Sequence, residues 1–178
     1  MLIASPLIGD PRFDRSVVFM CSHGEDQAMG LVINRSMDGL RLPELLDQLD
    51  IEGGSGAPDA PVFDGGPVSQ DRGFVLHSLD VNLGPATLAV GPDLGLTATK
   101  EILASLASNA PPDRFLMTLG YAGWDAGQLE DEIGANAWLV CEAENDLVFA
   151  SDEGLKWNAA LKTIGVTPEF LASSSGHA

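Results

Sequence analysis

The chain has 178 residues, 45% apolar and 20% charged, a globular composition long enough to bury a sizeable core. Its 26 acidic and 9 basic residues give a formal net charge of −17. That charge repels nucleic acid and acidic membrane surfaces unless the few cations gather on one face.

Residues 2–8 read as a first strand, 11–15 as a turn, 16–21 as a second strand and 29–33 as a third. Each is a short apolar run bounded by Gly, Pro, Asp or Asn. Leu42, Leu45, Leu46 and Leu49 then recur at i, i+3, i+4 and i+7, with Glu44, Asp47 and Gln48 opposite, which predicts a helix over 42–49. Pro43 suits its first turn. Residues 52–61, with Gly53, Gly54 and Gly56, read as an exposed loop within one domain, because one helix among the first 50 residues makes a poor core alone.

Strands are expected at 74–77 and 86–90, a helix at 97–107 stopped by Pro111 and Pro112, and a strand at 114–119. Asp125, with Gln128 three residues on, suggests a capping box for a short helix. Residues 138–141 and 147–150 look like a hairpin, and 155–164 like a final helix closed by Gly165. The domain is expected to span 1–166, with 167–178 as a disordered tail. Consecutive strands without intervening helices argue against a doubly wound sheet and for an α+β fold with a mixed or largely antiparallel one.

No apolar run is long enough to span a bilayer, and residues 1–6 carry no positive lead of a signal peptide, so a cytoplasmic setting is expected. Cys21 and Cys141 read as reduced, strand-buried thiols. Phosphate loops, dinucleotide fingerprints, H-E-x-x-H and C-x-x-C are all missing. His23, His77 and His177 are far apart, so no metal site and no cofactor is expected. Ser22–His23 and His77–Ser78 are adjacent pairs, but adjacency makes no triad, and locally satisfied histidines are the favoured reading. The segment 120–130 is the most distinctive. Gly120, Gly123 and Gly127 suit a tight strand-to-helix turn that Tyr121 and Trp124 lock onto the core, with an anion-receiving helix start as the alternative.

Gly9-Asp10-Pro11-Arg12-Phe13, Ser16-Val17-Val18, His23 and the run from Ala28 through Asn34-Arg35 closely resemble the YqgE/AlgH family of bacterial proteins. Gly65-Gly66-Pro67-Val68, Phe74-Val75-Leu76-His77, the run 120–130 with Glu132, Trp138-Leu139, Trp157, Ala160-Leu161 and Gly165 continue the match in order, over residues 2–166. Two departures stand out. Ser36 occupies a position where the family usually has proline, and Met1 stands almost at the first strand, leaving room for native residues before it. The resemblance implies an α/β domain whose bent, mixed, branched sheet forms a pseudo-barrel flanked by helices. Members carry the label of transcriptional regulators without an agreed molecular activity. The matched residues able to bind or react are His23, Asn34, Arg35, His77, Tyr121, Trp124, Gln128 and Glu130.

Three functions compete. A non-catalytic regulatory or adaptor protein, acting through a protein or small-molecule contact, stands first. An enzyme or ligand-binding protein with His23 or His77 and Glu130 in one cleft stands second, and requires those groups to meet. Direct DNA binding, which requires Arg12, Arg15, Arg35 and Arg41 on one face, is disfavoured by charge.

Overall fold

The computed structural model of the chain describes residues 1–81, 84–108 and 110–173. Among the described residues, ten strands and six α-helices form one mixed α+β unit whose curled sheet makes a half-barrel. The main path of the sheet runs β10 (Trp138–Val140), β1 (Leu2–Ala4), β2 (Val17–His23), β3 (Gln27–Val32), β9 (Phe115–Asp125), β6 (Val68–Ser78), β8 (Leu94–Thr97), β7 (Thr87–Ala89), with β5 (Pro61–Asp64) branching from β9 and β4 (Ser36–Arg41) pairing with β5. Only β5 (Pro61–Asp64) runs parallel to a neighbour, β9 (Phe115–Asp125). The rest is antiparallel, as expected for short strands without crossover helices.

β1 (Leu2–Ala4), β2 (Val17–His23) and β3 (Gln27–Val32) form a meander from the apolar runs near the N-terminus. β4 (Ser36–Arg41) is mostly exposed and polar, and its sequence offers no strand signal. Helix α1 (Leu42–Gln48) buries Leu42, Leu45 and Leu46, while Leu49, just past its end, is 43% exposed. Helix α2 (Lys100–Leu106) buries Ile102 and Leu106 beside it. β6 (Val68–Ser78) lies between β8 (Leu94–Thr97) and β9, and β7 (Thr87–Ala89) ends the sheet.

Two expectations need correction. The segment 120–127 is no strand-to-helix turn: β9 continues to Asp125 because Gly123, Trp124 and Asp125 find partners on β3. Gly120, at φ +73°, bends the strand instead of ending it. The expected hairpin also fails. β10 (Trp138–Val140) pairs with β1, and residues 145–148 form helix α4, closed by Val148 N–H donating to the Glu144 carbonyl at 2.9 Å. Leu147 and Val148 turn into the core from that helix. A partner distant in sequence therefore outcompeted the local one.

Helix α3 (Gln128–Gly134) has Gly127 at its N-cap and not Asp125, which ends β9, so the expected capping box does not form, although Gln128 Oε1 accepts from Asp125 N–H at 3.1 Å. Helix α5 (Glu153–Thr163) closes with Gly165 at φ +70° and Val166 N–H bonded to the Leu161 carbonyl at 3.1 Å. Helix α6 (Pro168–Ser173) occupies part of the segment expected as a tail; His177 lies outside the described residues. No helix among the described residues is long and apolar enough to cross a membrane. Cys21 and Cys141 are free and buried, and burial pushes the Cys21 thiol up to about 12.

Candidate functional site

The loop after β1 is built by Asp10, whose carboxylate accepts from Arg12 N–H and pairs with the Arg12 guanidinium at 2.7 Å. Asn34 staples this loop to the sheet: its Oδ1 accepts from Val17 N–H at 2.7 Å and its Nδ2 donates to the Arg15 carbonyl at 2.9 Å. Arg35, next along, donates to the carbonyls of Arg12 and Asp14 and forms no ion pair with any described carboxylate. Gly65 and Gly66 then carry the chain across β9, close against Gly120 and Tyr121.

These loops enclose a groove of three linked depressions of about 340, 100 and 320 Å³. The first is lined by Phe13, Val68, Trp124, Gln128 and Glu132. Arg12 and Pro67 connect it to the second, and Arg35, Asp64 and Gln70 connect the second to the third, where Met37 and Leu119 lie. The groove is thus most polar at its first end, beside Gln128 and Glu132, and grows more apolar toward Met37 and Leu119.

Its wall is held by Glu132, a residue the sequence reading did not select. Glu132 Oε2 accepts from the indole N–H of Trp124 at 2.9 Å and of Trp138 at 2.7 Å, and Oε1 accepts from Gln128 at 2.8 Å. The two indoles meet edge to face at 5.9 Å, and Phe13 packs on Trp138 at 5.5 Å. The signals in the sequence are its place in the family match and the i, i+4 spacing of Gln128 and Glu132 on α3.

His23 and Glu130 do meet: Nε2 donates to Oε1 at 2.5 Å, and this bond holds the Glu130 carboxyl below the usual range. Both side chains are about half exposed (51% and 55%), and neither lines the groove. His77 is elsewhere. It is fully buried in β6, with Nδ1–H donating to the Ser78 carbonyl at 2.8 Å. Its Nε2 therefore accepts, from Thr97 Oγ1 at 2.9 Å, and Thr87 Oγ1 lies 2.8 Å from Thr97 Oγ1. Tyr121 packs edge to face on Phe74 at 5.6 Å, against the core. The structure thus brings Arg35, Trp124 and Gln128 to one groove with Asn34 supporting it, pairs His23 with Glu130 outside it, and keeps His77 and Tyr121 for packing. Among the described residues no three His, Cys, Asp or Glu side chains could hold a metal ion.

A second residue not selected from sequence is Lys156, 1% exposed on α5. Its Nζ donates to the carbonyls of Ile33 and Val148, both at 2.8 Å, and lies 5.4 Å from the Phe63 ring. Glu153, one turn earlier, accepts from Ser36 N–H at 2.9 Å, so α5 clamps the chain on both sides of Asn34 and Arg35. Burial lowers the Lys156 pKa to about 8, from an ordinary value of 10.5, with Glu153 opposing the shift. A neutral amine has two N–H groups for these two carbonyls, whereas an ammonium adds a charge that burial penalises.

The cost of that charge, roughly 3 kcal/mol, is fully present below pH 8 and relieved as pH rises toward 10.5, because the unfolded chain holds the proton longer. Urea unfolding of wild type and Lys156→Met should therefore show the wild type gaining about 2 kcal/mol relative to the variant between pH 8 and 10. Cys21 opposes the gain above pH 9 in both proteins, so it cancels in the difference. A flat difference would mean that Lys156 titrates normally.

The fold and the groove define a class: a single mixed α+β half-barrel with a loop-built surface groove. The profile of the AlgH-like family matches residues 1–169. A UPF0301 protein of Ruegeria pomeroyi is 50% identical over 179 residues, covering 100% of this chain and 97% of its own. A UPF0301 protein of Caulobacter vibrioides is 44% identical, covering 100% and 92%. The solution structure of AlgH from Pseudomonas aeruginosa superposes with a TM-score of 0.79 at 39% identity, over 99% of this chain and 93% of that one. A crystal structure from Corynebacterium diphtheriae, 18% identical, shares the fold with a TM-score of 0.73, over 96% and 88%. The chain belongs to the AlgH-like family.

Proposed function

We propose that this protein is a non-catalytic, cytoplasmic regulatory or adaptor protein that holds an extended segment of a partner protein in the groove. The observation that supports this reading is the linked groove itself, a polar end grading into a more apolar one, with Arg35 between them and without a carboxylate partner. A row of linked subsites of differing polarity suits an extended peptide, whose side chains and backbone both need partners. Glu132, the carboxylate among its aromatic residues, is engaged by three donors in holding the wall.

The test is native mass spectrometry on untagged protein from its own cells, comparing wild type with Arg35→Ser and Gln70→Arg. A partner protein retained by wild type and lost at least tenfold from both variants supports the reading. Equal retention removes the groove from it, and a wild-type chain without any protein partner overturns it.

A second reading, an enzyme using His23 and Glu130, is favoured by their 2.5 Å contact alone. A bound small molecule lost on His23→Ala would move that reading ahead. Direct DNA contact is the weakest, because Arg12, Arg41 and Arg114 are each matched by an aspartate on a chain of net charge −17.

A further inference from the structure

Beside the groove, and sharing Gln70 with its middle, lies a cavity of about 600 Å³ between α1, α2 and the β6–β9 face. That volume falls within the range of small-molecule sites, roughly 300–1,000 Å³. Leu45, Leu103, Met117 and Leu119 line it with apolar surface, and the exposed Leu49 stands at it without being covered by the core. Its polar side is short: Ser69 to Arg72 on β6, and Thr99 with Lys100 at the start of α2.

Two observations define the chemistry this cavity would accept. The Thr99 hydroxyl is buried and reaches no partner with hydrogen-bond geometry, although it draws the carboxyl of Glu101, two residues on, below its usual range. A buried hydroxyl left so is costly, and a ligand oxygen would satisfy it. Lys100 beside it forms no ion pair with a described carboxylate, in a protein where Arg12, Arg41 and Arg114 each have one. Lys100 and Arg72 against Asp71 leave the lining a surplus of one positive charge, which suits a single negative charge and not a phosphate dianion. The guanidinium of Arg72 packs over Phe74 at 5.2 Å and is not counted on for the head group.

We infer that this cavity binds an apolar monocarboxylate, with its chain on Leu45, Leu103, Met117 and Leu119 and its head group on Thr99 Oγ1 and Lys100. The site does not depend on the peptide groove, with which it shares only the wall at Gln70 and Leu119.

The probe is decanoate, and the readout is NMR of protein labelled at its five methionine methyls. Met117 lines the cavity and Met37 the groove, so each site has its own reporter. Decanoate should shift the Met117 signal saturably with Kd near a millimolar or tighter, leaving Met37 in place. Lys100→Gln should weaken binding about tenfold and Thr99→Val severalfold, while unchanged Met1, Met20 and Met29 signals show that the variants fold. Decylamine should leave Met117 unmoved. A Met117 signal indifferent to decanoate, equal binding of decylamine, or undiminished binding by folded Lys100→Gln would overturn the inference. None of these outcomes touches the groove, whose failure would be read at Met37 and in partner retention.

Discussion

Gly66→Ala is expected to cost about 4 kcal/mol or more, enough to leave a domain of ordinary stability largely unfolded. Gly66 sits at φ +143°, where L side chains rarely go, and an added Cβ would stand 2.3 Å from the Tyr121 carbonyl carbon and 2.4 Å from Ala122 N. Those neighbours are backbone atoms of β9, held by the sheet on both sides, so no side chain can swing away. The clash would fall where the β5–β6 connection crosses β9 and would open the groove with the core. Gly56→Ala is the control, since it has ordinary φ and nothing within 4 Å, and it should unfold like wild type. Circular dichroism against urea separates the two, and a Gly66→Ala protein as stable as Gly56→Ala would show that the crossing is looser than drawn.

Glu132→Ala should cost about 2–4 kcal/mol, the other large effect. It strands the indole N–H groups of Trp124, 5% exposed, and Trp138, 1% exposed, and frees Gln128. Glu132→Gln keeps an acceptor oxygen and should cost about half as much. Tryptophan fluorescence during denaturation is well placed to follow it, because two of the three tryptophans share this carboxylate. If Glu132→Ala lay within about 0.5 kcal/mol of wild type, water would have replaced the carboxylate at both indoles.

The parts of this structure that were legible in the sequence are those whose partners are near in sequence or whose pattern is strong. The leucine spacing at 42–49 placed α1, the apolar runs at 16–21 and 29–33 placed β2 and β3, and Gly165 marked the end of α5. β4 was not legible, because a polar, exposed strand is made by pairing with β5 and not by its own side chains. The hairpin error at 138–150 has the same origin, since β10 prefers β1 from the opposite end of the chain.

The site divides in the same way. The likeness to a family selected His23, Asn34, Arg35, His77, Tyr121, Trp124, Gln128 and Glu130 as a set, but only the folded chain separates a surface pair from a groove wall, or assigns His77 to a hydrogen-bonded interior and Tyr121 to the core. Lys156 was hidden for a simple reason. A lysine on an amphipathic helix reads as solvent-facing, and its two carbonyl partners come from β3's end and α4.

β9 is hydrogen-bonded to β3, to β5 and to β6, so three stretches of the sheet close only on that one strand. All three of those partners precede it in the chain. During synthesis, β3 leaves the ribosome on the order of ten seconds before β9 is available to it, at ordinary rates of elongation. For that interval the nascent chain carries unpaired strand edges and half-built apolar faces, and neither can be buried by anything yet made. Truncation before residue 115 should therefore yield no folded product, as read by circular dichroism of the purified fragment.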